Sequence, residues 1–338
     1  QRIQQTLAEL QSNLSAAAGT AAPDEAGSGV FTNCRDALAA FGDRLPRILG
    51  LIRSMAIAEL EIDGRYAEAT HDPFFATFDE NSVDATDFRP FPDYLVCIAS
   101  EELQSPENAG LAEILASAMP IKIVVGVTDI LGESALRAHL GPVAQAAQLG
   151  RMALGMANAF VLQAGASHLY SLRQRVLAGL VCPGPALFSV FTGPGRSTGM
   201  LPCYLQAAAA QDSRAFPAFS YDPAAGSDRS ARFALDGNAQ PEADWPAHEF
   251  IHEDAALQRV TRQLAFSYVD FVACDPRHAR HFAQVPRAKW SAAMLPADEY
   301  LRRPLAQRRD ALPYVTLVDG NNALRRAIVD EAAAAGAL

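Results

Sequence analysis

The chain has 338 residues, half of them hydrophobic, with 38 Asp and Glu against 28 Lys and Arg, for a formal net charge of −10 at pH 7. That length fits one large α/β domain or roughly two average ones. The acidic balance excludes a phosphate-tracking surface, because the densest basic runs, Arg302-Arg303 and Arg308-Arg309, read as a solvated face. No apolar run reaches the ~18 residues of a membrane span, and no signal peptide is expected.

In chain order, Ile3, Leu7, Leu10 and Leu14 recur at helical spacing, which predicts an amphipathic helix over residues 1–18, followed by an Ala/Gly/Ser/Pro linker over Thr20–Gly29. Residues 1–30 therefore read as a helix and linker ahead of an α/β domain over 31–338. Residues 46–60 read as a helix, and Ala67–Phe91, rich in Asp and Phe without a clean period, as a long ordered loop. From 91 the pattern alternates. Apolar runs at Tyr94–Ala99, Ile121–Val127, Phe160–Gln163 and Leu187–Phe191 read as strands buried on both faces, hence as parallel strands covered by helices on both sides. The intervening helices are predicted over Pro106–Ala118, Pro142–Ala157, Ser167–Leu180 (Ser167 as N-cap) and Pro202–Gln211. A short strand follows at Ala218–Tyr221, then loop over Asp222–Pro246, a helix over Asp254–Ala265, and strands at Tyr268–Ala273 and Tyr314–Val318. The α/β core is assigned to 91–225 and a C-terminal extension to 226–338. The start at Gln1 and the Ala332–Ala335 run before the end point to a segment of a longer polypeptide.

Five single cysteines, with no CxxC pair, exclude a local iron–sulfur or zinc-ribbon signature and fit a reducing, cytoplasmic setting; Cys97 and Cys274 are expected to be small buried hydrophobes. His248-Glu249-Phe250-Ile251-His252 matches H-E-x-x-H, which on a helix would place two imidazoles on one face for zinc; in an extended segment the match is accidental. Gly193-Pro194-Gly195-Arg196-Ser197-Thr198-Gly199 follows a strand and either cradles an anion or simply links strand to helix. Ser167-His168 sits at a strand's carboxyl end, where a Ser–His pair needs an orienting acid. Asp222 and Asp275 precede prolines and read as turn residues. His71-Asp72-Pro73-Phe74-Phe75 either docks a neighbour or covers the sheet.

The order of strands and helices, with Gly184-Pro185-Ala186-Leu187-Phe188 and then Phe216-Pro217-Ala218-Phe219-Ser220-Tyr221-Asp222-Pro223, resembles the thiamine-diphosphate domain at the C-terminal end of pyruvate:ferredoxin/flavodoxin oxidoreductases, over about residues 91–225. The resemblance implies a thiamine-diphosphate-binding-like fold, with Mg²⁺ and the cofactor's diphosphate held at the first two strand ends. The family's Gly-Asp-Gly falls near Ala99-Ser100-Glu101, so Ser100 stands where the family has its metal-binding Asp. Its Asn-Thr-Gly-Gly falls near Glu133-Ser134-Ala135-Leu136, with Thr128 and Asp129 retained nearby. Ser100, Glu101, Thr128 and Asp129 are thus the candidate cofactor residues. The resemblance also implies a place in a 2-oxoacid:ferredoxin-type oxidoreductase, as a homo- or hetero-oligomer, with iron–sulfur clusters only on partner domains or subunits. The alternative is a degenerate domain without cofactor, acting as a scaffold or docking module in a larger redox complex.

Overall fold

The computed structural model describes residues 8, 29–132, 142–156, 158–194, 201–254, 256–321 and 323–329. Apart from Ala8 and Gly29, the predicted N-terminal helix and linker lie outside the described residues, as do Glu133–Leu136, Gly195–Gly199 and Ala332–Ala335.

A seven-stranded sheet forms the centre, with strand order β1-β2-β3-β5-β4-β6-β7. The strands are β1 (Val30–Phe31), β2 (Tyr94–Ala99), β3 (Ile121–Val127), β4 (Phe160–Gly165), β5 (Ala186–Phe191), β6 (Phe219–Tyr221) and β7 (Phe233–Ala234). The first five run parallel; β6 pairs antiparallel with β4, and β7 antiparallel with β6. The sheet thus begins before residue 91 and ends after 225, because β1 and β7 add an edge strand at each side. The α/β expectation stands at the level of a mainly parallel sheet with helices.

The connections explain which face each helix covers. The helices between strands are α1 (Cys34–Ile62), α2 (Glu68–Ala76), α3 (Leu111–Ala116), α4 (Pro142–Leu154), α5 (Arg173–Val181), α6 (Cys203–Asp212) and α7 (Arg229–Arg232). The path advances from β1 through β2 and β3 to β4, then steps back to β5. Right-handed crossovers put helices of forward steps on one face and the helix of a backward step on the other. So α1, α3, α4 and α6 join the large core over Val96, Ile123, Val125, Val161 and Leu187. By contrast α5, from the backward step, lies on the opposite face, with Val176 and Ala178 against Phe160, Leu162 and Phe188. This corrects the prediction of strands buried on both faces. It holds for β4 and β5, but β2 buries only Tyr94, Val96 and Ile98, and Cys97 is exposed rather than buried. Cys274 is half-buried.

Local signals moved several boundaries. Asn33 caps α1 by accepting from the Asp36 N–H at 2.9 Å, so the helix begins well before Pro46, which it carries internally. Gly64, at φ +66°, takes the left-handed conformation just past its end. Within the predicted loop 67–91, α2 forms; Tyr66 stacks on Phe75 and tilts against His71, and Phe74 meets Phe75 and Phe78 edge-on. Ser167 caps nothing; it lies inside a 3₁₀ turn, Ala166–His168, and α5 starts later.

The C-terminal extension reverses two predictions. The expected helix Asp254–Ala265 is a hairpin of β8 (Ala247–Glu253) and β9 (Arg259–Ala265). Asp254 accepts from the Ala256 and Gln258 N–H groups and Leu257 adopts φ +57°, so Asp254 makes a turn, not a helix cap. The expected strand Tyr268–Ala273 is helix α8, set by a capping box in which Asp270 accepts from both the N–H and the hydroxyl of Ser267. A second sheet, ordered β10-β13-β12-β11, completes the extension from β10 (Phe282–Val285), β11 (Met294–Pro296), β12 (Leu312–Val318) and β13 (Leu324–Val329), with α9 (Ala297–Arg302) packed on it. Here β12 extends the predicted strand, and its Asp319-Gly320-Asn321 turn leads into an unpredicted partner, β13. No helix among the described residues is long and apolar enough to cross a membrane.

Candidate functional site

In an open parallel sheet, ligands bind at the carboxyl ends of strands where the winding direction reverses. The direction reverses at β4, where the path, having skipped over β5, turns back; the candidate residues gather beside it, at the adjoining carboxyl ends of β2 and β3. The loops that meet there follow β2, β3 and β5. The turn Pro276–His281 of the extension closes over them.

All four predicted site residues come together at this edge. Ser100 and Thr128 hydroxyls lie 3.4 Å apart, and the Thr128 N–H donates to Ser100 Oγ at 3.4 Å. The Thr128 hydroxyl donates to Glu101 Oε1. That bond is the main reason the Glu101 carboxyl is held below its ordinary range. Asp129 Oδ1 accepts from the Leu131 N–H at 2.9 Å.

The partner of Asp129 is a residue the motif comparison did not supply. The Arg277 guanidinium donates to both Asp129 oxygens, at 2.6 and 3.0 Å, and to Asp275 at 2.6 and 2.9 Å. Asp275 is almost fully buried, Asp129 three-quarters buried, and Arg277 half exposed. Burial pushes the Asp129 carboxyl up, but the Arg277 bonds and the Leu131 N–H outweigh it and hold the pKa below the usual value. The same bonds raise Arg277. Next to it, His278 is buried and its Nε2 lies 3.0 Å from the Leu131 carbonyl. Asp275 also performs the turn role read from the sequence, accepting from the Arg277 N–H at 2.9 Å.

These residues can be tested against the implied Mg²⁺ and diphosphate. Mg²⁺ requires near-octahedral oxygen ligands at 2.0–2.1 Å and bridges to phosphate oxygens. Here both Asp129 oxygens are taken by a guanidinium, and Glu101 is engaged by Thr128. The space enclosed by Asp129, Leu131, Phe191, Pro194 and Arg277 is about 10 Å³, room for at most one water. As arranged, the described residues do not fit the group.

The other motifs resolve into structural roles. His248 and His252 lie four residues apart on strand β8, not on a helix. A strand rises about 3.3 Å per residue, so the imidazoles are too far apart to share one zinc ion. His248 instead pairs with Asp212 at 3.4 Å, and His252 is buried. Ser167 Oγ lies 2.9 Å from His168 Nδ1, but among the described residues no carboxylate hydrogen-bonds to His168 to orient it. Among the described residues no group of three His, Cys, Asp or Glu side chains is placed to hold a metal ion. Of the glycine-rich loop after β5, Gly193 and Pro194 are described; Pro194 accepts a bond from the Cys203 thiol.

Arg277 was missed because it lies 148 residues from Asp129. The one local signal was Asp275-Pro276, which fixes the turn that aims Arg277. No protein-family model matches the chain, and no curated protein matches it.

Proposed function

We propose that this chain is a domain of a larger 2-oxoacid:ferredoxin-type redox assembly and serves there as a cofactor-free scaffold or docking module. The observation that carries this reading is the Arg277 guanidinium held between Asp129 and Asp275 at the carboxyl edge of the sheet. It supplies from within the chain the positive charge that a bound Mg²⁺ would bring, and its turn fills the crevice. Iron–sulfur clusters then belong to partner domains or subunits. The docking part is supported by the outer side of α5, where Leu177, Leu180 and Val181 are exposed at i, i+3, i+4 spacing, a pattern of an interaction surface.

The test is native mass spectrometry of the assembly isolated from its source, with thiamine diphosphate, magnesium and iron quantified after denaturation. Iron-bearing partners with no thiamine diphosphate on this chain are the expected result. An iron-free assembly overturns the redox placement.

A second reading, oxidative decarboxylation of a 2-oxoacid such as pyruvate on thiamine diphosphate and Mg²⁺ at Ser100, Glu101, Thr128 and Asp129, is favoured by the convergence of those four residues on one edge. It requires Arg277 to release Asp129. Stoichiometric thiamine diphosphate and magnesium in the same measurement selects it.

A further inference from the structure

A cavity of about 450 Å³ lies where α6, the β8–β9 hairpin, α8 and the second sheet meet. It is separate from the Asp129–Arg277 cluster, with α8 between them and Cys274 bordering both. Its size is within the range of small-molecule sites. Two features of its lining constrain what it takes.

The walls are apolar, built from Phe250, Phe266, Tyr314 and Leu317 among others. Four acids line the space, Asp212, Glu249, Asp270 and Asp298, and among the described residues no Lys or Arg does; the Arg326 guanidinium lies over the Tyr314 ring at 4.3 Å. The basic side chain in that lining, His248, is held by Asp212 at 3.4 Å. Arg302 approaches Asp298 at 3.3 Å, but it is also drawn to Asp244 at 3.5 Å and lies over the Trp245 ring.

Asp270 is the most constrained of these acids. Its two bonds from Ser267 both fall on Oδ2. Burial pushes its carboxyl up to about 6, and the charge of Asp298 adds to the shift. A desolvated carboxylate beside a second one is stabilised by an added cation far more than a surface carboxylate would be.

An anion meets four carboxylates here, and a hydrated metal ion meets apolar walls. A neutral apolar molecule leaves the acids uncompensated. An ammonium group on an apolar body satisfies both parts of the lining. We propose that this cavity binds an amphipathic organic cation, an amine carried on an aromatic or aliphatic body, with its charge at Asp270 and Asp298 and its body against Phe250, Phe266 and Leu317. The site stands independently of the proposed scaffold role, because it uses none of the carboxyl-edge residues.

Isothermal titration of the full chain with three shape-matched probes tests this: 2-phenylethylamine, 2-phenylethanol and 3-phenylpropionate. The amine is expected to bind on the order of tenfold or more tightly than the alcohol, and the acid not at all. Equal binding of all three, or no binding by the amine at millimolar concentration, overturns the proposal. Asp298→Asn, in the first turn of α9, is expected to weaken the amine about tenfold while leaving the alcohol unchanged. An unchanged amine affinity in that variant also overturns it. The probe series on the unmodified chain gives an answer even if the variant fails to fold.

Discussion

Replacing Arg277 with Met removes the cation between Asp129 and Asp275 while keeping most of the apolar stem that packs in the turn. Breaking a fully buried ion pair from one side costs about 3–5 kcal/mol, because the remaining charge is left uncompensated. A fully exposed pair is worth at most about 1 kcal/mol. This cluster lies between: the guanidinium is 46% exposed, but Asp275 is only 5% and Asp129 25% exposed. Discounting for that solvent access gives a loss of about 2 kcal/mol at neutral pH. The pH dependence has a definite sign. The folded-state pKa of Asp129 is lowered, so its contribution is fully present above its unfolded value of about 3.9 and is lost as pH falls through the folded value. The penalty of the substitution should therefore shrink in acid. Urea unfolding followed by far-UV circular dichroism and by the fluorescence of Trp245 and Trp290 measures it, and agreement of the two probes checks that the transition is two-state. Combining the change with Asp129→Asn should recover a coupling of about 1–2 kcal/mol. A loss below about 0.5 kcal/mol, or one that does not vary between neutral and acidic pH, refutes the role assigned to this cluster.

Gly179→Ala, which in an exposed helix would stabilise by up to about 1 kcal/mol, should instead destabilise by about 1–3 kcal/mol. The new Cβ would stand 2.5 Å from Phe160 and 2.7 Å from Phe188, and an unchanged or raised urea midpoint would contradict this packing of α5. Lys122→Met should cost about 2–4 kcal/mol, since the side chain is 2% exposed and donates to the Cys182 and Gly184 carbonyls; a neutral effect in the same unfolding assay would show those carbonyls rehydrate freely. Asp270, with its folded pKa raised to about 6, favours folding when protonated, and that advantage disappears as pH rises from about 4 through 6. Asp270→Asn should accordingly gain stability relative to the parent chain over that interval, and parallel pH profiles would refute the shift. With a chromogenic disulfide reagent, Cys97 and Cys203 should react first, being exposed, while Cys34 and Cys274, pushed up to about 11 by burial, lag until denaturant is added; peptide mapping of the first adducts decides.

The apolar runs at 94–99, 121–127, 160–163 and 187–191 carried the parallel sheet in their composition, because a strand's burial is written in its own consecutive residues. The family resemblance placed Ser100, Glu101, Thr128 and Asp129 just past two strands, and neighbouring parallel strands set those ends side by side. Short apolar segments in the extension misled: Tyr-Val-Asp-Phe-Val-Ala at 268–273 has strand composition, and the Ser267–Asp270 capping box outweighed it. Which face each strand leaves open followed from the order of winding, which no local period encodes, so Cys97 was placed in the core when it faces out. Nor could any local pattern say that Arg277 would reach Asp129. Burial patterns repeat over two or four residues, whereas the charge that closes the crevice comes from a turn positioned by the packing of α8 and the second sheet against the first, and that position exists only once the chain has folded.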